Sequence, residues 1–267
     1  MGARKAKKTS KPQPIPAATE TSTAPIEGPT SDAAGAPPPE DADGKDMAQH
    51  ERRSDPKTDP STFRSFQLDA RLLKALSYLK HDVPTPVQQK AIPHLLSGKD
   101  VLAQARTGSG KTAAYLLPIL QHCLAQPLPP NTDRTEHQVR AVIVVPTKEL
   151  THQILSFTKK CLKFADTAVV PMQLTNESSQ LIAVVRPHVL IATPTKLLKA
   201  MKTFPRLLEH MQMLVLDEAD MMLSFGYQED MQEIRARLPR HYQTVLMSAT
   251  LSEVSLFSLI FKRKKKT

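Results

Sequence analysis

The apolar residues of this chain gather in six short runs, separated by longer stretches in which they recur at helical spacing. The runs are rich in Val, Ile and Leu with few polar interruptions, as in strands that a parallel sheet buries on both faces. They predict strands at about 100–104, 140–145, 167–173, 188–192, 213–217 and 243–248. The intervening stretches predict helices at about 110–125, 148–163, 176–185, 194–203, 228–237 and 252–261.

Two more helices are predicted ahead of the first strand. Leucines recur at helical spacing from Leu68 to Leu79, and the following proline pair ends that helix. A second helix is predicted from about Pro86 to Leu96. Strands that alternate with helices in this way predict an α/β fold with a doubly wound, mostly parallel sheet. Ligands of such a sheet bind at the carboxyl ends of its strands.

Composition separates a folded part from a tail. Residues 1–60 hold 10 of the 23 prolines and no aromatic residue, so they predict a disordered tail. The tail begins with a basic cluster at residues 4–11, which suits a nuclear localisation signal, an RNA-contacting arm or simply a solvated terminus. Residues 126–138 predict a surface loop, and residues 262–267 form a second basic tail.

Charge and cysteine usage narrow the class of protein. The net charge of +10 favours a polyanionic partner such as nucleic acid, although a generally basic surface would give the same value. Cys123 and Cys161 lie in apolar, helix-like stretches without metal-ligand spacing and are expected to be buried, reduced thiols. No apolar run approaches the roughly 18 residues of a membrane span, so we expect no membrane partner.

One motif joins the first predicted strand to the helix after it. The backbone N–H groups of such a glycine-bearing turn, together with the positive end of the helix, suit a polyphosphate. Lys111 is placed to reach phosphate oxygens and the Thr112 hydroxyl to bind Mg²⁺. The alternative is a Gly-Ser turn before a helix, with lysine there by chance. The predicted phosphate-binding residues are Ala105, Arg106, Thr107, Gly108, Ser109, Gly110, Lys111 and Thr112.

A second motif ends the strand predicted at 213–217. Asp217, Glu218 and Asp220 place three carboxylates within four residues after an apolar run. In a parallel sheet this end lies beside the phosphate-binding turn, so Asp217 is expected to hold the Mg²⁺ of a nucleotide. Glu218 is then placed to orient and deprotonate the attacking water. The predicted catalytic residues are thus Lys111, Asp217 and Glu218; the alternative is an acidic helix start that favours the helix dipole.

Together these motifs resemble those of the DEAD-box RNA helicases. The sequence Asp-Glu-Ala-Asp at 217–220 gives that family its name, and its P-loop likewise begins with alanine, as at Ala105. Four further motifs occur in the family's order, at 84–88, 146–150, 193–196 and 248–250. The resemblance covers about residues 61–261, with a Q motif region at 61–89. It implies the RecA-like ATP-binding domain of an ATP-dependent RNA helicase, with ATP and Mg²⁺ as cofactors.

The resemblance also assigns roles around the nucleotide. Gln88 would read the adenine edge, and Phe63 would stack on the base, unless it is a core aromatic. Ser248 and Thr250 would hydrogen-bond Asp220 and so couple ATP hydrolysis to RNA unwinding; the alternative for Thr250 is a helix N-cap.

RNA contacts are implied for the motifs at 146–150 and 193–196. Their residues stand where predicted strands end and helices begin, and would hold phosphates and sugars of one strand without reading bases. The alternative for the two lysines is a solvated helix face. The implied RNA-binding residues are Pro146, Thr147, Lys148, Thr193, Pro194 and Lys196.

Segments at 145–150, 174–180 and 223–227 resemble most a nucleolar branch of the family that serves maturation of the large ribosomal subunit. This implies a monomer in the nucleus, in particular the nucleolus, with RNA and pre-ribosomal particles as partners.

Family members carry a second RecA-like domain with arginine fingers, which this sequence lacks. We therefore expect negligible RNA-stimulated ATPase from this chain alone. The alternatives are a truncated half-helicase acting as an RNA- or partner-binding module, and a P-loop ATPase that acts on DNA.

Overall fold

The computed structural model describes residues 62–126, 139–165, 168–177 and 181–250. The predicted tail at 1–60, the basic tail at 262–267 and the helix predicted at 252–261 lie outside the described residues, as does nearly all of the predicted loop.

All six predicted strands are present. They are β1 (Val101–Gln104), β2 (Ala141–Val144), β3 (Pro171–Gln173), β4 (Val189–Ala192), β5 (Met213–Leu216) and β6 (Gln243–Ser248). They form one sheet in the order β1-β6-β5-β2-β4-β3, and every neighbouring pair is parallel. The prediction of a doubly wound parallel sheet is confirmed.

The helices lie on both faces of this sheet. A short 3-10 helix spans Phe63–Phe66, and the α-helices are α1 (Ala70–Tyr78), α2 (Pro86–Leu96), α3 (Lys111–Ala125), α4 (Lys148–Cys161), α5 (Ile182–Val185), α6 (Pro194–Thr203), α7 (Ala219–Ser224) and α8 (Gln228–Ala236). None of the helices in the described ranges is both long and apolar enough to cross a membrane.

Alternate side chains of the strands pack into two separate hydrophobic cores, one on each face of the sheet. In β5, Met213 and Val215 pack with α3 and α4 residues on one face, whereas Leu214 and Leu216 pack with α6 and α8 residues on the other. Both cores contain fully buried side chains, as the uninterrupted apolar runs predicted. The two-sided burial fixes the register of each strand, and with it the position of each strand end.

Three elements differ from the predictions, and the first is β3, which begins at Pro171 rather than at about residue 167. The segment predicted as one helix at 176–185 forms a turn at Asn176 and Glu177, and the helix begins only at Ile182. Short polar side chains such as asparagine bond their own backbone and favour turns over helix. Helix α7 was not predicted, because it is short and begins one residue after Glu218, which turns the chain through a left-handed φ of 52°.

Candidate functional site

The phosphate-binding turn lies between β1 and α3. Ala105 N–H donates to the Ser248 carbonyl at 3.0 Å, which anchors the start of the turn on β6. Gly108 and Gly110 have φ of +82° and +90°, where residues with a Cβ are strained. A Cβ built on Gly110 would lie 2.5 Å from Gln88 Nε2. A residue with a Cβ at 110 would therefore strain the turn and displace the Gln88 side chain.

Gln88 ties α2 to this turn. Its Oε1 accepts from Thr85 N–H at 2.9 Å, and its Nε2 donates to the Gly110 carbonyl at 3.0 Å. The side chain is only 5% exposed. Both ends of the amide are thus engaged by the protein, and the contact with adenine remains a prediction.

Phe63 is a core residue in the structure. It is 4% exposed and packs with Leu68, Leu76 and Ile92 under the 3-10 helix. This burial favours the core alternative over a ring that stacks on a base, because little of its face is accessible to a ligand.

Lys111 and Glu218 meet across the carboxyl ends of the strands. Lys111 Nζ lies 3.1 Å from Glu218 Oε1, and the two side chains are 5% and 13% exposed. This is an ion contact without hydrogen-bond geometry. Among the described residues, the Lys111 ammonium has no hydrogen-bond acceptor, and the buried Ser109 hydroxyl has no partner. Buried donors of this kind are costly unless a ligand satisfies them, and phosphate oxygens would do so.

Asp217 is held on both carboxylate oxygens. Oδ2 accepts from the Tyr115 hydroxyl at 2.9 Å, and Oδ1 accepts from Glu218 N–H at 3.0 Å. Burial raises the pKa of the Asp217 carboxyl to about 6, and the hydrogen bond from Tyr115 opposes that rise. The two hydrogen bonds favour the charged form of the carboxyl group and fix its orientation.

Tyr115 is the residue of this site that sequence reasoning missed. It is fully buried, and its burial, with the nearby Asp217 charge, raises the pKa of its hydroxyl well above the ordinary value. The hydroxyl thus remains a donor. The only signal in the sequence is a phenol at the third position of the otherwise apolar stretch at 113–120 in α3.

Of the two hydrogen bonds predicted from Ser248 and Thr250 to Asp220, the structure contains the one from Thr250, and their coupling role remains a prediction. Thr250 Oγ1 donates to Asp220 Oδ2 at 3.3 Å, and Ala249 N–H donates to the same oxygen at 3.2 Å. Ser248 does not reach Asp220 in the structure; its hydroxyl accepts from Thr250 N–H at 3.3 Å. Ser248 is fully buried at the end of β6 and shapes the turn that presents Thr250.

The two motifs predicted to contact RNA lie side by side. They follow β2 and β4, which are neighbours with Val144 opposite Ala192. Thr147 caps α4 by accepting from Leu150 N–H at 3.2 Å, and the Lys148 side chain is exposed. Pro194 opens α6, and Lys196 donates to Asn176 Oδ1. Helices α4 and α6 therefore both begin at the same edge of the sheet, and their N-terminal N–H groups can bind anionic groups there.

Comparison with known proteins matches residues 85–257 to the family described as DEAD/DEAH box helicase. ATP-dependent RNA helicase DBP9 of Coccidioides immitis is 43% identical over 215 residues, which are 79% of this chain and 35% of that protein. The dbp9 protein of Schizosaccharomyces pombe is 41% identical over 196 residues, or 72% and 32% of the two chains.

A solved structure of S. cerevisiae dbp5, in a variant bound to gle1 and ip6, matches with a TM-score of 0.65 at 26% identity. The match covers 78% of this chain and 51% of that one. The chain spans about a third of the length of the curated relatives above. The matched region is more than half of the chain and contains both strand-end motifs, so this chain belongs to the DEAD/DEAH box helicase family.

Proposed function

We propose that this chain is the ATP-binding part of an ATP-dependent RNA helicase that couples ATP hydrolysis to strand separation or remodelling of RNA. The observation that carries the proposal is the buried Lys111 ammonium, which contacts Glu218 yet has no hydrogen-bond acceptor among the described residues. The names of the relatives support it, since they are described as ATP-dependent RNA helicases.

In this proposal the phosphate chain lies along the turn at 105–112. Lys111 holds phosphate oxygens and exchanges its contact with Glu218 for them. Glu218, released from the lysine, orients and deprotonates the attacking water. The Ser109 hydroxyl and the N–H groups at the start of α3 supply further donors.

The donor set fits a hard cation. Thr112 offers a hydroxyl and Asp217 a buried carboxylate, the oxygen ligands that Mg²⁺ prefers. No group of three or more His, Cys, Asp or Glu in the described ranges could hold a metal by itself, so phosphate oxygens and water would complete the shell. Bound Mg²⁺ would neutralise phosphate charge as it develops.

RNA would bind across the N-termini of α4 and α6. Thr147, Lys148, Pro194 and Lys196 would contact its sugar-phosphate backbone, which explains why no base-reading pattern is needed. Asp220 lies on α7 two residues after Glu218 and accepts hydrogen bonds from Ala249 and Thr250. A movement of the Glu218 backbone would therefore be transmitted to the end of β6 through the hydrogen-bonded carboxylate of Asp220.

Nucleotide binding tests the first half of the proposal. The 267-residue chain is titrated with a fluorescent ADP analogue and Mg²⁺. A lysine-phosphate contact contributes about 1.5–3 kcal/mol, so Lys111→Ala should weaken binding roughly 10- to 100-fold. Lys199→Ala removes the same charge from an exposed position of α6 and should change little. Equal binding by both variants and the unmodified chain would refute the assignment of Lys111.

Single-stranded RNA binding tests the second half. Lys148→Ala should weaken binding of every sequence alike and lower the salt slope by about one. An RNA affinity that neither ATP nor Lys148→Ala changes, but that is lost when the basic residues at 262–266 are neutralised, would point instead to a binding module. DNA that competes as well as RNA would favour a DNA-directed ATPase.

We also propose that the chain acts in ribosome biogenesis, on pre-ribosomal particles in the nucleolus. The branch-like segments and the basic clusters at both ends support this. A tagged chain should be nuclear, and deletion of residues 1–11 should move it to the cytoplasm. A chain that is cytoplasmic with or without these residues would contradict the proposal.

A further inference from the structure

The Tyr115 hydroxyl stands between the two residues that offer oxygen ligands for Mg²⁺. It donates to Asp217 Oδ2 at 2.9 Å, and it is close enough to the Thr112 hydroxyl for that group to influence the Tyr115 pKa. Thr112 and Tyr115 are one turn apart on α3, whereas Asp217 is 102 residues from Tyr115 along the chain, at the end of β5. One phenol thus bridges the helix and the strand of the proposed metal site.

Nothing in the surroundings makes this hydroxyl necessary for packing. Tyr115 is fully buried, and the ring packs in the apolar core with Leu116 and Ile119 as near neighbours on α3. Phenylalanine would fill the same volume without a polar atom to satisfy. The hydroxyl of Tyr115 therefore serves its hydrogen bond to the Asp217 carboxylate rather than the packing of the core.

The other bond to Asp217 leaves its orientation open. Glu218 N–H, the donor to Oδ1, belongs to the next residue along the chain and moves with Asp217 itself. The Tyr115 hydroxyl, in contrast, holds the carboxylate in place relative to a separate, rigid element, helix α3. Each carboxylate oxygen keeps a further lone pair, so the bond does not block a metal ion or a metal-bound water.

We propose that Tyr115 is a positioning residue for Mg²⁺ binding, which sets Asp217 and Thr112 relative to each other so that both can serve one ion. The inference rests on the proposed function, because it requires that the site binds Mg²⁺ with a nucleotide. It assigns a role in metal affinity to a residue outside the turn at 105–112 and outside the 217–220 motif. Tyr115 makes no contact with the nucleotide in this role.

Tyr115→Phe removes only the hydroxyl and tests the proposal. Affinity for a fluorescent ADP analogue is measured with Mg²⁺ and with EDTA, and the ratio gives the enhancement by the metal. The variant should bind metal-free ADP as the unmodified chain does, within about twofold, while the enhancement falls about tenfold, the effect of one hydrogen bond to a charged group. Tyr242→Phe is the matched control, because Tyr242 precedes β6 at the opposite end of the strands. It should leave the enhancement unchanged.

The outcomes separate the two proposals. An unmodified chain without any Mg²⁺ enhancement would overturn the proposed function itself. An enhancement that is present and equal in the unmodified chain and Tyr115→Phe would overturn the role of Tyr115 alone. So would a loss of ADP affinity that is the same with and without Mg²⁺, since that reflects a general structural effect.

A second measurement does not depend on a variant that folds. The chain has four tyrosines, and labelling them with ¹³C at Cζ gives four resonances. Adding Mg²⁺ to the ADP complex should shift the resonance of the solvent-protected Tyr115. No shift at that resonance would overturn the proposal.

Discussion

Replacing Gly110 with alanine should destabilise the fold even when no nucleotide is bound. Gly110 precedes α3 with φ of +90°, and a Cβ there would lie 2.5 Å from Gln88 Nε2 and 3.0 Å from Thr85 Oγ1. Contacts this short require Gln88 to move, because the backbone of the turn is held by β6. The substitution therefore adds backbone strain and also breaks the link between α2 and the turn.

The size of the effect follows from these two parts. A residue with a Cβ at this φ is strained by about 1–2 kcal/mol. Moving Gln88 gives up its bonds to Thr85 N–H and the Gly110 carbonyl, each worth about 1 kcal/mol net. The free energy of unfolding should fall by about 3–4 kcal/mol.

Urea denaturation of the chain without nucleotide measures this value, and Gly108→Ala is the matched control. Gly108 has a similar φ of +82°, but a Cβ there meets nothing within 4 Å, so only the strain of about 1–2 kcal/mol applies. In a Gln88→Ala background, Gly110→Ala should cost less, because the contact with Gln88 is gone and only the strain and the 3.0 Å contact with Thr85 Oγ1 remain. Equal losses for Gly108→Ala and Gly110→Ala, or an unchanged cost in the Gln88→Ala background, would show that the clash with Gln88 is not what requires glycine.

Two further predictions concern buried titratable groups. Burial raises the pKa of the Cys123 and Cys161 thiols to about 12, so neither should react with a disulfide reagent at pH 8 until urea unfolds the chain; rapid labelling of the native chain would contradict their burial. Burial and the nearby Arg140 charge lower the pKa of His188, whose Nδ1 accepts from Val170 N–H at 3.0 Å. The unfolded chain then binds more protons at His188 below about pH 6.5, so this residue contributes a loss of stability from pH 7 to pH 5. Asp217, whose raised pKa acts in the opposite direction, contributes equally in both proteins, so stability at pH 5 relative to pH 7 should be higher in His188→Gln than in the unmodified chain. A pH dependence that is the same in both proteins would exclude His188 as its source.

The sequence was sufficient for the sheet, because two-sided burial leaves a local signature in every strand. Runs such as Ala141–Val144 contain no polar residue, and their shortness distinguishes them from the longer apolar stretch of α3. The strand ends then placed Lys111, Asp217 and Glu218 together, since parallel strands bring their carboxyl ends to one edge.

Contacts between distant residues were beyond such reasoning. The bond between Tyr115 and Asp217 depends on how α3 lies against β5, and that follows from packing of whole side chains. The burial of Phe63 likewise depends on how the 3-10 helix packs against α1, α2 and α3. The left-handed backbone conformation of Glu218 could not be predicted from the sequence either, because glutamate rarely adopts it without tertiary support.

The edge position of β1 has a consequence for biosynthesis. Within the described part of the chain, β1 pairs with β6 alone, and Asp100 accepts from Thr244 N–H across 144 residues. A nascent chain that has not yet released β6 from the ribosome offers β1 no partner, and the turn after β1 no anchor on Ser248. The strand that carries the phosphate-binding turn is made first and docks last. ATP therefore cannot assist the folding steps that precede the synthesis of β6.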